Sequence, residues 1–279
     1  MRLYYCPGGG FGHVSRYLSF CHTFALEADL LFGPDEHGVL ENYLKENCAG
    51  HFYKVEGLAV YEKQALREVV ERAIRESSCR ELVIDAFPGG IMGELCDFPV
   101  LQNIECIYLA RHLQWAKYLQ RVKGRLPDFR EILIAERLQT EHWHFCRHSG
   151  SHLREIGLSF PPAPCPEGLP ENFWLVIHSG SEEELCELWH FALDTAAIEC
   201  QEPDFVLVYP GKRPQFISPA IRHLNFFPAY GLFAGAGRVF SAAGFNIMQQ
   251  MKPFKNKHHV MPFERSLDDQ FFRASVDKI

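Results

Sequence analysis

The sequence predicts an α/β protein built as two parallel-sheet domains, and three observations predict it. Short apolar runs alternate with stretches of helical spacing, as strands joined by crossover helices do. Gly157, Pro161, Pro162, Pro164, Pro166, Gly168 and Pro170 then interrupt that alternation with the longest Pro/Gly-rich stretch of the chain. Beyond it the alternation restarts, again with a strand, a glycine turn and a helix. The expected division is residues 1–156, a linker at 157–172, and residues 173–279.

Taken in order, Leu3-Tyr4-Tyr5-Cys6 reads as a buried strand and His13 to Phe24 as the helix after it. Asp29 to Phe32 and Phe52 to Val55 are the next strands. Between Tyr61 and Ser77, helical spacing puts Leu66, Val69, Val70, Ala73 and Ile74 on one face. Leu82-Val83-Ile84 is a strand ending at Asp85, and Ile104 to Ala110 and Ile132 to Ala135 are further strands. In the second half the strands are Phe173 to His178, Phe205 to Tyr209, Leu224 to Phe227, Arg238 to Ser241 and His259 to Met261, with a helix at Glu182 to Ala197.

Composition narrows the function classes. A chain of 279 residues that is 47% hydrophobic and 23% charged is an ordinary globular one. Its net charge of -7 argues against a nucleic-acid partner. The 10 cysteines are scattered without a Cys-x-x-Cys pair, which fits reduced thiols in a cytoplasmic protein. No apolar run approaches the roughly 20 residues of a membrane span, and the first residues lack the apolar stretch of a signal peptide. Any membrane contact is expected to be peripheral.

Between the first strand and first helix lies Pro7-Gly8-Gly9-Gly10-Phe11-Gly12-His13-Val14-Ser15-Arg16. Glycines there permit close approach of a ligand to backbone, and the helix end behind them presents N–H groups and a positive dipole end. The spacing matches neither the dinucleotide fingerprint nor the phosphate loop ending in Gly-Lys-Ser/Thr. Three further segments join it. They are Asp85-Ala86-Phe87-Pro88-Gly89-Gly90-Ile91-Met92-Gly93-Glu94-Leu95, Ser241-Ala242-Ala243-Gly244-Phe245-Asn246, and the block from Pro262 to Ala274 containing Glu264-Arg265 and Asp268-Asp269-Gln270. Together these resemble the GT-B glycosyltransferases, above all the family 28 group that includes the N-acetylglucosaminyltransferase of peptidoglycan synthesis.

The resemblance implies a GT-B fold: two Rossmann-like domains whose parallel sheets face a central cleft. The C-terminal domain would bind the nucleoside-diphosphate sugar and the N-terminal one the acceptor. On the donor side, Gly244, Phe245 and Asn246 would open a helix whose amides face the diphosphate. Ser179, Gly180 and Ser181 would add a second phosphate contact, and Asp269 and Gln270 would bond sugar hydroxyls. The plain alternative for Asp268-Asp269 is a solvated helix start. Gln250 stands where relatives carry a ribose-holding glutamate, which removes a charge, and Pro253 should end that helix early. Gly9, Gly10, Gly12 and Arg16 would form the acceptor-side loop, with Arg16 either facing phosphate or lying on the helix surface. His13 is the candidate general base, since imidazole titrates near neutral pH, and Asp85 its orienting partner. The alternative is that His13 caps its helix or lines the acceptor pocket.

Other clusters have blander readings. His142, His144, Cys146 and His148 at alternate spacing would share one strand face, with His152 nearby, but such neighbours rarely converge on one ion. Residues 111–130 hold Arg111, Lys117, Arg121, Lys123, Arg125 and Arg130 around Trp115, Tyr118 and Leu119. A solvated helix face is the first reading of that stretch, and an anionic membrane or acceptor the second. The functional expectation is a metal-independent transferase moving a hexose or N-acetylhexosamine. Its donor would be a uridine-linked diphosphate sugar, used as a substrate and not a cofactor, and its acceptor a small or lipid-linked molecule. A nucleotide-sugar hydrolase of this fold has a similar Gly-Phe-Gly-His loop and is the second reading. A non-catalytic sugar-nucleotide binder is the third, favoured by Gln250 and by the chain stopping at Ile279, soon after Arg273 and Ala274.

Overall fold

The computed structural model describes residues 1–8, 10–57 and 61–276. Its elements are, in chain order, β1 (Arg2–Cys6), α1 (Phe11–Phe24), β2 (Asp29–Phe32), α2 (Val39–Asn47), β3 (Phe52–Lys54), α3 (Lys63–Glu76) and β4 (Glu81–Asp85). Next come β5 (Glu105–Ala110), α4 (Trp115–Arg121), β6 (Phe129–Ile134), α5 (Thr140–His148) and β7 (His152–Glu155). The second half holds β8 (Trp174–Ile177), α6 (Glu182–Ile198), β9 (Phe205–Val208), β10 (Arg222–Leu224), β11 (Arg238–Ala242), α7 (Phe245–Gln250), β12 (His258–Met261) and α8 (Gln270–Val276).

The strands form two wholly parallel sheets. One has 7 strands in the order β3-β2-β1-β4-β5-β6-β7, the other 5 in the order β10-β9-β8-β11-β12. Strands buried on both faces must be apolar throughout, and β1, β2 and β4 are, apart from their ends. In the first sheet, Leu3, Tyr5, Leu82 and Ile84 meet Leu66, Val70, Ala73 and Ile74 of α3. Tyr4, pointing the other way, packs edge-on against Tyr17 of α1 at 5.5 Å. In the second sheet, Trp174, Val176 and Phe240 pack on Leu185, Leu188, Trp189 and Ala192 of α6. The opposite face covers Leu175, Val206 and Val239 with Leu232, Phe233 and Met251.

The chain divides into two compact units that are not contiguous in sequence. The first unit is Met1–Glu36, Asn47–Phe160 and Arg265–Asp269, and the second is His37–Glu46, Pro161–Glu264 and Gln270–Ile279. Almost all of α2 thus belongs to the second unit, where Tyr43 packs edge-on against Phe227 at 5.2 Å. Arg265–Asp269 returns to the first, where the Gln114 amide donates to the carbonyls of Arg265 (3.0 Å) and Asp268 (2.7 Å).

Three sequence expectations need correction. His142, His144, Cys146 and His148 lie on the helix α5 and not on a strand, with His142 and Cys146, four apart, buried on one helical face. The strand expected at Leu224 to Phe227 is Arg222–Leu224. Of residues 111–130 only Trp115–Arg121 is helical, and Arg111 is buried.

Candidate functional site

In open parallel sheets ligands gather beyond the carboxyl ends of the strands, where the winding reverses. That reversal falls between β1 and β4 in the first sheet and between β8 and β11 in the second. β4 ends on Asp85, and the loops leaving these four strands carry Gly8 and Gly10, Ala86, Ser179 and Gly180, and Ala243 and Gly244. Sequence motifs and switch points therefore coincide in each unit.

In the first unit, Gly10 (φ 92°) is the N-cap of α1, and Gly12 and His13 lie in its first turn. Gly9 lies outside the described residues. His13 Nδ1 is 2.6 Å from Asp85 Oδ2, and the Asp85 side chain is completely buried. Arg16, one helical turn after His13, donates from Nε to Asp85 Oδ1 (2.7 Å) and from its terminal nitrogen to Oδ2 (2.8 Å). It was expected at a phosphate or on the helix surface; it is buried instead, because a carboxylate sealed from water requires a partner of opposite charge. Burial alone would raise the Asp85 pKa, but the Arg16 guanidinium and the bonds from His13 and Arg16 hold it well below the carboxylate range. For His13, burial and then the Arg16 charge lower the pKa, against the opposing pull of Asp85.

Gly8 escaped the sequence reading. A Cβ there would lie 2.8 Å from His13 Cδ2 and 2.9 Å from Cε1, and closer still to Nε2. Glycine at 8 is what leaves room for the imidazole in its place against Asp85, and only the folded loop reveals this.

The segment after Asp85 is held just as firmly. Ala86 sits at φ 65°, where non-glycine residues are rare. It is fixed by its N–H to Leu109 O (3.1 Å) and by the Tyr108 hydroxyl donating to its carbonyl (3.0 Å). With its proton so committed, the Tyr108 oxygen accepts from His142 Nε2 at 3.0 Å. His142 stacks on Trp115 (4.2 Å, 3°), and burial, then His112, push its pKa down to about 3. Further on, the buried Glu94 carboxylate accepts from the Tyr5 hydroxyl and from the N–H groups of Ile91 (3.0 Å) and Met92 (2.7 Å). It closes a loop that turns at Gly90 (φ 84°) and Gly93 (φ 75°). Arg111, following β5, donates to Asp268 Oδ1 at 2.9 Å and lies over the Phe87 ring. Asp268 is thus an ion-pair partner in the first unit and not a solvated helix start; Asp269 follows it in the same unit.

In the second unit the two loops at the switch point differ electrically. Ser181 caps α6 by accepting from the Glu184 N–H (3.3 Å), and Glu182, Glu183 and Glu184 fill that helix's first turn. Three carboxylates already occupy the field that an anion would seek, which counts against a phosphate at Ser179, Gly180 and Ser181. Glu184 also meets His178 Nε2 at 2.9 Å. By contrast, α7 starts at Phe245 behind Gly244, with no acid in its first turn. Gly244 has φ -68°, and among the described residues a Cβ there would touch only Ile247, at 3.8 Å. Neither turn geometry nor packing against the described residues demands glycine at this position. Asn246 is buried in the first turn, and Gln250 is the last residue of α7, followed by a 3-10 turn containing Pro253. Gln270 was expected to face a sugar. Its Oε1 accepts instead from the N–H groups of Ala243 (3.2 Å) and Phe263 (3.0 Å), tying α8 to the loop before α7.

Among the described residues, no three His, Cys, Asp or Glu side chains gather as a metal would need, and no helix is long and apolar enough to cross a membrane. A shallow depression lined by Cys165, Leu169, Asn172, Phe173 and Gly235 contains none of the residues above.

No protein-family model and no curated protein matches the chain. Solved structures do. The spinosyn rhamnosyltransferase SpnG complexed with thymidine diphosphate aligns with 100% of this chain and 85% of its own, with a TM-score of 0.63 and 11% identity. The glycosyltransferase SnogD from Streptomyces nogalater covers 94% and 84%, with a TM-score of 0.53 and 15% identity. A UDP-N-acetylglucosamine 2-epimerase from Rickettsia bellii covers 97% and 80%, at 0.58 and 9%. At these identities the likeness is one of fold: the two Rossmann-like parallel sheets are those of the GT-B glycosyltransferases.

Proposed function

We propose that this chain is a glycosyltransferase that moves a sugar from a pyrimidine nucleoside-diphosphate sugar, uridine-linked in the first instance, to an acceptor hydroxyl. The observation that supports this reading is the His13–Asp85 contact at 2.6 Å, at the switch point of the first sheet. Nδ1–H donates to Asp85, and Nε2 keeps its lone pair for the acceptor proton. As the acceptor oxygen bonds to the anomeric carbon, its proton passes to Nε2. The bond from that carbon to the diphosphate breaks, and the diphosphate leaves with the electron pair. A positioned base is worth about 10²–10⁴-fold in rate. Displacement from the side opposite the leaving group inverts the anomeric centre.

For the donor, the α7 loop is preferred over the α6 loop. Its first turn carries no acid, and Gly244 leaves its backbone open to a close-approaching oxygen. Solved neighbours were captured with thymidine diphosphate or act on a UDP-sugar, which favours a pyrimidine nucleotide here. Metal ions have no assigned role in this scheme, and the diphosphate charge falls to helix-end amides.

Thermal-shift measurement against UDP, TDP, ADP and GDP and their sugar conjugates tests the donor assignment. A binder at 100 times its Kd should stabilise the second unit by about 2.7 kcal/mol. Gly244→Val should abolish that shift without unfolding the protein. Equal shifts for purine and pyrimidine nucleotides, or none for any, would remove the donor assignment.

A further inference from the structure

A histidine and an arginine share one buried carboxylate at the first switch point, and the arrangement fixes the state of the base. His13 Nδ1 lies 2.6 Å from Asp85 Oδ2 and 3.0 Å from the Arg16 terminal nitrogen. A guanidinium only donates. A bare Nδ1 could accept from Arg16, but it would then face Asp85 Oδ2 lone pair to lone pair at 2.6 Å. The proton is therefore on Nδ1 and goes to Asp85. This leaves Nε2, the nitrogen beside Gly8, as the one that gains or loses a proton.

Arg16 already neutralises Asp85 through two bonds of 2.7 and 2.8 Å. Of the described groups that bear on His13, the next is Arg111, just after β5, a further cation felt by His13 and itself paired with Asp268 at 2.9 Å; the Phe87 ring lies 6.2 Å from the imidazole. Tyr4 and Cys6 of β1 stay protonated because burial raises both well above their ordinary values. A proton on Nε2 would make His13 a second cation beside a pair that already balances.

We propose that Arg16 is a positioning residue that keeps His13 unprotonated at neutral pH by taking up the charge of Asp85. An aspartate with no such partner would draw the proton onto the histidine and hold an imidazolium–carboxylate pair, which has no lone pair left to offer. The proposal rests on the reading of His13 as the base.

The test is an NMR titration of the His13 ring, its resonance assigned by its loss in His13→Gln, in wild type, Arg16→Lys and Arg16→Met. Wild-type His13 should remain neutral down to below its ordinary value of about 6.5. Arg16→Lys should stay close to wild type, since it keeps the charge. Arg16→Met should bind the proton about 100-fold more tightly, a typical effect of one close charge. Its activity at pH 7 should fall and then recover as pH rises, which a merely structural loss would not do. A wild-type His13 protonated at pH 7 overturns the proposal even if Arg16→Met does not fold. So does an Arg16→Met titration that coincides with wild type. The titration needs no turnover, so the two ideas fail separately. Expected titrations without sugar transfer would sink the transferase and leave the charge balance standing. Transfer with coincident titrations would do the reverse.

Discussion

Replacing Gly8 by alanine is the sharpest perturbation of the site, because its effect is steric alone. Gly8 is not among the positive-φ glycines, so its backbone accepts an alanine. The new Cβ would stand 2.8 and 2.9 Å from two ring carbons of His13, whereas carbon atoms pack at about 3.5–4.0 Å. The ring must shift by roughly 1 Å, since the loop has nowhere to retreat. Behind it Gly33 is so close that its own Cβ would lie 2.5 Å from the Gly8 carbonyl oxygen. Moving the imidazole breaks or stretches its 2.6 Å bond to Asp85. Losing a hydrogen bond to a charged group costs about 1.5–3 kcal/mol, and misplacing a reacting group by 1 Å costs about 100-fold in rate. The assay is release of nucleoside diphosphate from the donor that gives the largest thermal shift, with donor affinity measured alongside. Turnover should fall about 100-fold while donor affinity stays the same. Turnover within about threefold of wild type, with the His13 resonance unmoved, would refute the steric reasoning.

Two stability predictions concern the loop and helix around Asp85. Glu94→Ala strips the Tyr5 hydroxyl and the Ile91 and Met92 N–H groups of their acceptor. Urea denaturation should show a loss of about 2–5 kcal/mol, and a loss below about 1 kcal/mol would mean that the loop repairs itself with water. His142 is kept neutral down to about 3, against about 6.5 in the unfolded chain. The unfolded state therefore binds more protons as pH falls through that window, and stability drops by about 1.4 kcal/mol per pH unit. His258, lowered to about 4 by burial and then by His259, acts in the same direction. In His142→Gln the slope of stability between pH 6 and 4 should be shallower by about that 1.4 kcal/mol per unit. An unchanged slope would remove His142 from the acid response.

Much of this was legible in the residues, for identifiable reasons. β1 and β4 are short apolar runs that end in polar or glycine-rich segments, so their carboxyl ends could be located. Placing His13 and Asp85 at neighbouring ends of one parallel sheet then made their contact a reasonable expectation. β7 was missed because it is an edge strand with one apolar residue, Leu153, and a mostly exposed surface. α5 was misread because histidines at alternate positions imitate a strand, while the burial of His142 and Cys146 follows the helix. Arg16 was left between a phosphate contact and the helix surface, because nothing in sequence says that a carboxylate 69 positions away pairs with it. Gly8 and Gly244 illustrate the same limit from both sides. One glycine is required by a side chain that only folding brings near, and the other is required by nothing among the described residues.

The measurement closest to the central claim is a comparison of wild type with His13→Gln, following nucleoside diphosphate release and product mass from a pyrimidine-nucleotide sugar with candidate acceptors. Wild type should yield free nucleoside diphosphate and an acceptor heavier by one sugar, with water as the only acceptor in the case of a hydrolase. His13→Gln should bind the donor equally well and turn it over about 10²–10⁴-fold more slowly. A variant as fast as wild type, or a wild type that leaves every nucleotide sugar intact, would contradict the account.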